Sequence, residues 1–302
     1  MERRHFLEAA AAANLAWGAG GLPSAPAQTA AGPLKLKYAP HTGFFSAGDR
    51  PVLERLEMIA AMGFRAVENN GMKGMSRPDL ERYGAKLEAL GLEHGVWVTN
   101  RGVNDGAGLV DPREHEAFFK EVASSIEVAP FVRGRFSTVT TGNIPLRMTR
   151  TQARLNVIDA LKRAAEMVEK SELTLVVEPL NIRVDHPGYF LASSDEAYEV
   201  MKAVNHPRIK ILFDIYHQQI TEGDVIRRIR AYYDEIAYFQ FADNPGRKEP
   251  GTGEMNYRMI FKAIHDLGFK GILGAEMGQS QPGDEGSRQA LEAIIACDQF
   301  EA

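Results

Sequence analysis

The stretch Leu173-Thr174-Leu175-Val176-Val177-Glu178-Pro179-Leu180-Asn181 decides the fold. Its first five residues are apolar or β-branched, which is typical of a strand buried on both faces in a parallel sheet. Pro179 has no N–H to donate to a sheet, so the strand is predicted to end there. Glu178 then lies at the carboxyl end of a strand, where α/β barrels carry their chemistry. The alternative is a carboxylate that caps a loop or forms a salt bridge with a neighbour.

Segments with strand and helix patterns alternate from Leu34 to Ala296. The predicted strands are 34–39, 64–68, 94–99, 132–138, 173–178, 209–214, 236–241 and 271–276. The predicted helices are 52–62, 80–90, 112–128, 150–171, 194–204, 224–233, 257–267 and 285–296. Alternating units of this kind predict an α/β fold that closes into a single-domain (β/α)8 TIM barrel over residues 34–302. An open doubly wound sheet is the alternative. We would expect that fold to carry a glycine-rich phosphate loop after the first strand, and the sequence has none there.

The composition narrows the classes of function. The chain has 302 residues, of which 44% are hydrophobic and 25% charged, and this is ordinary for a globular protein. A net charge of −5 without clusters of Lys and Arg argues against a nucleic-acid surface. The single cysteine, Cys297, excludes an intramolecular disulfide and a cysteine-based zinc site. No apolar run reaches the length of about 18 residues that a membrane span needs. We therefore expect a small-molecule substrate, and the oligomeric state stays open, a homo-oligomer included.

Residues 1–27 have the pattern of an export signal. Arg3-Arg4-His5-Phe6-Leu7 places a twin arginine before Phe-Leu, and an Ala/Gly-rich segment follows. Ser24-Ala25-Pro26-Ala27 would allow cleavage after Ala27. The segment resembles a bacterial twin-arginine (Tat) signal, which predicts residues 28–33 as a linker and a periplasmic or exported mature protein. If the segment is instead a disordered Ala-rich N-terminus, the protein is cytoplasmic.

Four consecutive predicted strands end in side chains with oxygen ligands: Glu178, Asp214, Gln240 and Glu276. The carboxyl ends of barrel strands converge on one mouth, so these side chains are predicted to surround a central point. Three carboxylates and an amide oxygen suit Mg²⁺ or Mn²⁺ rather than Zn²⁺. The alternative is that each carboxylate pairs with a different arginine.

Further polar residues near the predicted mouth are candidates for substrate binding. His217 follows Asp214 by three residues, in what the sequence predicts to be a loop, and it either donates to a substrate oxygen or caps the next helix. Arg247 lies in a loop rich in Gly and Pro and offers a planar fork for a carboxylate, although that loop could also be simply solvated. His41 follows the first predicted strand and Glu68 ends the second, and both are weaker candidates.

Three motifs together resemble the hydroxypyruvate isomerase family of the xylose isomerase-like TIM barrels. They are Glu178-Pro179-Leu180-Asn181, Asp214-Ile215-Tyr216-His217 and the loop from Ala242 to Tyr257, ADNPGRKEPGTGEMNY. The resemblance covers roughly residues 34–296. It implies a divalent metal held by Glu178, Asp214, Gln240 and Glu276. It also implies that Glu178 and Glu276 act as the acid/base pair on opposite faces of the substrate.

The reaction that this resemblance implies is the isomerisation of hydroxypyruvate to tartronate semialdehyde through an enediolate. A ketose 3-epimerase or a sugar isomerase would use the same metal and the same two glutamates, so the sequence does not separate these activities. Two further alternatives are a non-catalytic periplasmic sugar-binding protein and a metal-dependent DNA-repair nuclease on the same barrel. The nuclease would require several histidine ligands for a zinc cluster and a basic groove for the nucleic acid.

Overall fold

Short parallel strands alternate with longer helices along the whole barrel. The computed structural model describes residues 33–102 and 108–301. Its strands are β1 (Lys37–Pro40), β2 (Ala66–Val67), β3 (Glu93–His94), β4 (Phe136–Val139), β5 (Thr174–Val177), β6 (Ile209–Asp214), β7 (Ile236–Gln240) and β8 (Ile272–Ala275). Its α-helices are α1 (Val52–Ala61), α2 (Arg77–Leu90), α3 (His115–Val132), α4 (Arg150–Val168), α5 (Ser194–Val204), α6 (Ile215–Thr221), α7 (Val225–Tyr232), α8 (Tyr257–Asp266) and α9 (Gly283–Cys297).

The strands close into a barrel through two sheets and the bridges between them. Six strands pair in the order β1-β8-β7-β6-β5-β4, and β2 pairs with β3. A parallel bridge between His41 and Glu68 pairs the end of β1 with the end of β2. A parallel bridge between Val98 and Thr138 pairs the segment after β3 with β4. The backbone N–H of Thr42 donates to the Glu68 carbonyl at 2.8 Å, which supports the first of these joins. The predicted (β/α)8 barrel is confirmed.

Two apolar layers hold the barrel together. One fills the interior with buried side chains from most of the strands: Ala39, Ala66, Val96, Val176, Leu212, Tyr238 and Ile272. The other lies between the strands and the surrounding helices and includes Trp97, which is fully buried. Because strands in a closed parallel barrel bury both faces, they lack the polar alternation of a half-exposed sheet.

Local signals fix most helix ends as the sequence predicts. Thr149 and Gln152 form a reciprocal capping box at the start of α4. Ser193 accepts from the backbone of Glu196 at the start of α5, and Gly91 ends α2 in the left-handed conformation. These caps satisfy backbone groups that would otherwise lack partners.

The predicted boundary between the third helix and the fourth strand is wrong, and the third strand, predicted over 94–99, is only Glu93–His94. The sequence predicts a helix that ends at Val128 and a strand that begins at Val132, but α3 continues to Val132 and β4 begins at Phe136. Pro130 suggests a helix stop, since proline lacks the N–H of an interior turn. It lies in the last turn of α3 instead, and the helix ends where Arg133 adopts a φ of 50°.

The signal peptide predicted over residues 1–27, and all but Pro33 of the predicted linker, lie outside the described residues, so export stays a prediction. Residues Pro33–Ala302 form one compact unit, and the barrel predicted over residues 34–302 falls within it. Within the described ranges, no helix is both long and apolar enough to cross a membrane.

Candidate active site

The four side chains predicted as metal ligands end four neighbouring strands. Asp214 and Gln240 are the last residues of β6 and β7, and they lie opposite each other in the sheet register. Glu178 and Glu276 directly follow β5 and β8. Glu178, Asp214 and Gln240 are buried, whereas the side chain of Glu276 is 32% exposed. The strand ends therefore bring three carboxylates and an amide to one edge of the barrel.

Arg247 lies between two of these carboxylates. Its Nη2 donates to Glu276 Oε2 at 2.7 Å and lies 3.5 Å from Asp214 Oδ2. The guanidinium carbon is 5.0 Å from the centre of the Tyr216 ring, so the aromatic face attracts the positive charge of Arg247. Burial alone would lower the pKa of Arg247, but the carboxylates of Glu276 and Asp214 raise it above its ordinary value. The guanidinium is therefore a permanent positive charge at this end of the barrel.

The loop that carries Arg247 is organised by a buried aspartate. Asp243 is fully buried, and its carboxylate accepts from the backbone N–H groups of Asn244, Gly251 and Met255 at 2.9, 2.7 and 3.1 Å. Arg247 itself adopts a φ of 52°, in the left-handed region that few non-glycine residues adopt. Asp243 thus fixes the loop from which the guanidinium reaches the mouth.

The buried carboxylates have strongly shifted acidities. Burial raises the pKa of Glu178 well above its ordinary value, and the charges of Glu276 and Asp214 raise it further. Burial also raises the pKa of Asp214 to about 7, even though Arg247 opposes this shift. Carboxylates that repel one another in a buried site are stabilised by a cation placed between them.

The residues present fit a hard divalent cation. Gln240 Oε1 is buried and has no hydrogen-bond partner among the residues that the structure describes, while its Nε2 faces Glu68. An orphaned amide oxygen beside two buried carboxylates is a donor set for an oxygen-preferring ion. By distance alone, Glu178, Asp214 and His217 also form a triad whose ligand atoms lie within 4.8 Å of one another.

The hydrogen bonds of His217 argue against a ligand role for this histidine. Asn181 Oδ1 accepts from the backbone N–H groups of Val184 and Asp185 at 3.0 and 3.1 Å. Asn181 Nδ2 therefore faces the other way, 2.7 Å from Asp185 Oδ2 and 2.7 Å from His217 Nδ1. A flipped amide would lose both backbone donors and set its oxygen against the Asp185 carboxylate.

The consequence is a fixed tautomer for His217. Because Nδ1 accepts from Asn181, the proton of the neutral ring lies on Nε2, which is 3.6 Å from Asp214 Oδ2. Arg247 Nη2 lies 3.3 Å from the same Nε2, a longer contact than the 2.7 Å contact of Asn181 at Nδ1. Burial lowers the pKa of His217 well below its ordinary value, and Arg247 lowers it further, so the ring is neutral. A neutral ring with a proton on Nε2 is a donor rather than a metal ligand.

His217 also corrects the predicted secondary structure. The sequence places it in a loop, but it is fully buried on α6, a seven-residue helix that begins directly after β6. Asp214 caps this helix by accepting from the backbone N–H of Tyr216 at 2.9 Å. An aspartate at a strand end is also a favoured N-cap, and this signal could have indicated the helix.

Asn181→Asp is expected to lower kcat/KM by about 10–100-fold, because it replaces the Nδ2 donor to His217 with an acceptor. Asp185→Asn is the control, since it keeps an oxygen acceptor for Asn181 and should change the rate little. Nitrogen chemical shifts of histidine-labelled protein report the tautomer directly. A wild-type His217 protonated on Nδ1 would contradict the assignment.

A cavity of about 200 Å³ opens between the strand ends. It is lined by Glu178, Glu276, His217 and Arg247 together with Val98, Asn100, Arg101, Thr140, Leu180 and His186. The predicted catalytic pair therefore faces the same space as two of the predicted substrate-binding residues. The lining residues Asn100 and Thr140 lie in the segments that follow β3 and β4, and the sequence does not indicate them because no carboxylate or motif marks those segments.

Two candidates for substrate binding lie elsewhere. Glu68 is fully buried and lies against Tyr238 and Gln240 rather than in the cavity. His41 accepts from the Gly43 N–H at Nδ1, so its Nε2 donates to the Met277 carbonyl at 2.8 Å. Both ring nitrogens of His41 are thus used within the protein, and the ring lines a separate cavity of about 280 Å³.

Fold and site together define a class of protein: a (β/α)8 barrel enzyme whose mouth carries carboxylates, an arginine and a neutral histidine. The chain belongs to the xylose isomerase-like TIM barrel family, whose model matches residues 56–297.

Two curated relatives narrow the activity. Hydroxypyruvate isomerase from Escherichia coli K12 is 32% identical over 236 residues, which cover 76% of this chain and 88% of the relative. The 2-oxo-tetronate isomerase of Cupriavidus necator is 34% identical over 229 residues, which cover 74% of this chain and 86% of the relative. These relatives make the protein an isomerase of the aldose–ketose type.

A solved structure agrees on the fold. The IOLI protein, whose crystal structure contains a bound zinc atom, superposes with a TM-score of 0.71 at 14% identity. The match covers 88% of this chain and all of that protein. At this identity the likeness establishes the barrel alone.

Proposed function

We propose that the protein isomerises hydroxypyruvate to tartronate semialdehyde through an enediolate, with a divalent cation bound at the strand ends. The observation that carries the proposal is that Glu178 and Glu276 line one small cavity together with Arg247 and His217. At about 200 Å³ this cavity is smaller than the roughly 300–1,000 Å³ of sites for drug-sized ligands. It suits a substrate of three or four carbons.

Glu178, Asp214, Gln240 and Glu276 would hold the cation through oxygen atoms, which favours Mg²⁺ or Mn²⁺. The orphaned Oε1 of Gln240 supports this set. When bound, the cation supplies a Lewis acid that acidifies the C–H next to the substrate carbonyl and stabilises developing negative charge. A zinc atom in the IOLI protein is consistent with a divalent ion in a barrel of this kind.

The two glutamates would transfer the proton. One removes a proton from the CH₂OH carbon of hydroxypyruvate, and a proton returns to the neighbouring carbon, while the hydroxyl proton passes between the two oxygens. A 3-epimerase would use the same pair to remove and return a proton at one carbon from opposite faces.

His217 and Arg247 would position the substrate. His217 Nε2–H would donate to the oxygen that gains negative charge in the enediolate. Arg247 and Arg101 both line the cavity, and a guanidinium is the natural partner for the substrate carboxylate. Arg247 also faces Glu276 at 2.7 Å, so it would hold this glutamate beside the reacting carbons.

The experiment that tests the proposal compares substrates with Mn²⁺ present. We expect the highest kcat/KM for hydroxypyruvate or 2-oxo-tetronate, and far lower values for fructose and tagatose. A preference for either ketose would favour the epimerase or sugar isomerase alternative. No turnover of any compound by a protein that binds Mn²⁺ would favour the non-catalytic binding protein.

Mn²⁺ affinity is expected to fall as the pH falls below about 7. The pKa of Asp214 is raised to about 7, so below this pH the metal-free carboxyl holds a proton that binding must release. The loss should approach about tenfold per pH unit for each proton released. Titrations at pH 6, 7 and 8 measure the slope, and Asp214→Asn should bind more weakly with a shallower slope. An affinity independent of pH over this range would contradict the assignment.

A further inference from the structure

Glu68 is a buried carboxylate that the reaction does not use. It follows β2, is completely inaccessible to solvent and does not line the cavity. Its backbone joins β1 to β2, because its N–H donates to the Pro40 carbonyl at 3.0 Å. A carboxylate is costly to bury, so its retention inside a barrel calls for a specific partner.

The partners of Glu68 are two side chains of β7. The Tyr238 hydroxyl donates to Glu68 Oε1 at 2.7 Å. Gln240 Nε2 lies 3.3 and 3.4 Å from the two carboxylate oxygens of Glu68. The oxygens of Glu68 accept from the amide NH₂ of Gln240, so the NH₂ side of the amide faces Glu68. The amide oxygen then points the other way, and this Oε1 is buried without a hydrogen-bond partner in the described part of the chain.

The surrounding backbone is shaped to admit this carboxylate. A Cβ added at Gly274 of β8 would lie 1.7 Å from Glu68 Oε1, so no other residue fits opposite it. A Cβ at Gly95 would lie 2.4 Å from the Tyr238 hydroxyl and 2.9 Å from Glu68 Cγ. Gly274 of β8 and Gly95, which directly follows β3, thus leave space beside the Glu68–Tyr238 pair.

We propose that Glu68 is a positioning residue that fixes the side-chain amide of Gln240 with its oxygen, rather than its NH₂, facing the cation site. Tyr238 holds the Glu68 carboxylate in place for this purpose. The inference rests on the proposed cation at Glu178, Asp214, Gln240 and Glu276. It assigns a role to a residue that contacts neither substrate nor cation. Residues that orient a ligand in this way affect metal affinity by about 10–100-fold.

The test is a Mn²⁺ titration followed by the electron paramagnetic resonance signal of the free ion, which needs no substrate. Glu68→Gln can offer only one oxygen and adds a competing NH₂, so we expect its Kd for Mn²⁺ to rise by about 10–100-fold. Tyr238→Phe removes the hydroxyl that holds Glu68 and should raise the Kd by a smaller factor. This milder variant also decides the proposal if Glu68→Gln does not fold, because an unchanged Kd in Tyr238→Phe would then overturn it.

A double-mutant comparison separates orientation of Gln240 from a general loss of structure. In a Gln240→Ala background the amide is absent, so adding Glu68→Gln should leave the already weakened Kd unchanged. An equal loss in both backgrounds would overturn the proposal, as would a Glu68→Gln variant with wild-type affinity. If the wild-type protein binds no Mn²⁺ at all, the proposed cation site itself fails, together with the role of Glu68.

Discussion

Glu276→Gln is expected to abolish turnover while leaving the protein folded and able to bind Mn²⁺. The substitution removes a carboxylate from the cavity that Glu178 also lines, and with it one member of the proposed proton-transfer pair. General acid–base catalysis contributes about 10²–10⁴-fold, so we expect a fall in kcat of that size. The amide oxygen of glutamine still ligates a hard cation and still accepts from Arg247, which lies 2.7 Å from Glu276 Oε2.

The measurement is kcat for hydroxypyruvate together with the Kd for Mn²⁺. Glu285→Gln is the matched control, because Glu285 lies in the first turn of α9, outside the cavity, and should keep wild-type rates. A Glu276→Gln enzyme within tenfold of wild type would refute the acid–base role. Loss of Mn²⁺ binding along with the rate would show that Glu276 acts mainly as a ligand.

Removal of divalent cations is expected to have the second of the two largest effects. Dialysis against a chelator should reduce isomerisation to background, and Mn²⁺ or Mg²⁺ should restore it. The same treatment should lower Tm at pH 8, because this pH lies above the pKa of about 7 of Asp214, which is then charged in a buried site without a cation. Added Mn²⁺ should raise Tm as its concentration exceeds the Kd, because a ligand that binds only the folded state stabilises it.

Asp214→Asn provides the control for this prediction, since it loses one carboxylate of the site and should show a reduced Tm response to Mn²⁺. Full activity in the presence of excess chelator would contradict the cation requirement. A Tm that is indifferent to Mn²⁺ in the wild-type protein would contradict the site itself.

The sequence predicts the barrel and its strand ends well because each signal is local. A buried parallel strand appears as a short apolar run, and a carboxylate or amide directly after it marks the mouth. Asp214 and Gln240 end β6 and β7, and Glu178 and Glu276 directly follow β5 and β8, as expected.

The sequence fails where contacts join distant strands. Glu68 resembles the other strand-end carboxylates, but its surroundings depend on Gly274 and Tyr238, some 200 and 170 residues away. Nothing near Glu68 in the sequence indicates that space. The same holds for His41, whose Nε2 donates to a carbonyl 236 residues further along the chain.

His217 illustrates a case in which the residue is found but its chemistry is not. Its spacing from Asp214 identifies it as a site candidate, yet distance alone would also make it a cation ligand. Only the orientation of the Asn181 amide, set by two backbone N–H groups, places the proton on Nε2. A tautomer depends on hydrogen bonds that no residue pattern records.

Incorporation of solvent deuterium into hydroxypyruvate is the most direct test of the central claim that this site transfers a proton through an enediolate. With Mn²⁺ in D₂O, we expect NMR to show deuterium at the carbon-bound positions of hydroxypyruvate and of its isomer, and none with the Glu276→Gln variant. Isomerisation without incorporation would mean that the proton removed from the substrate returns to it without exchanging with solvent. The absence of both isomerisation and exchange, in a protein that binds Mn²⁺, would contradict the proposed function.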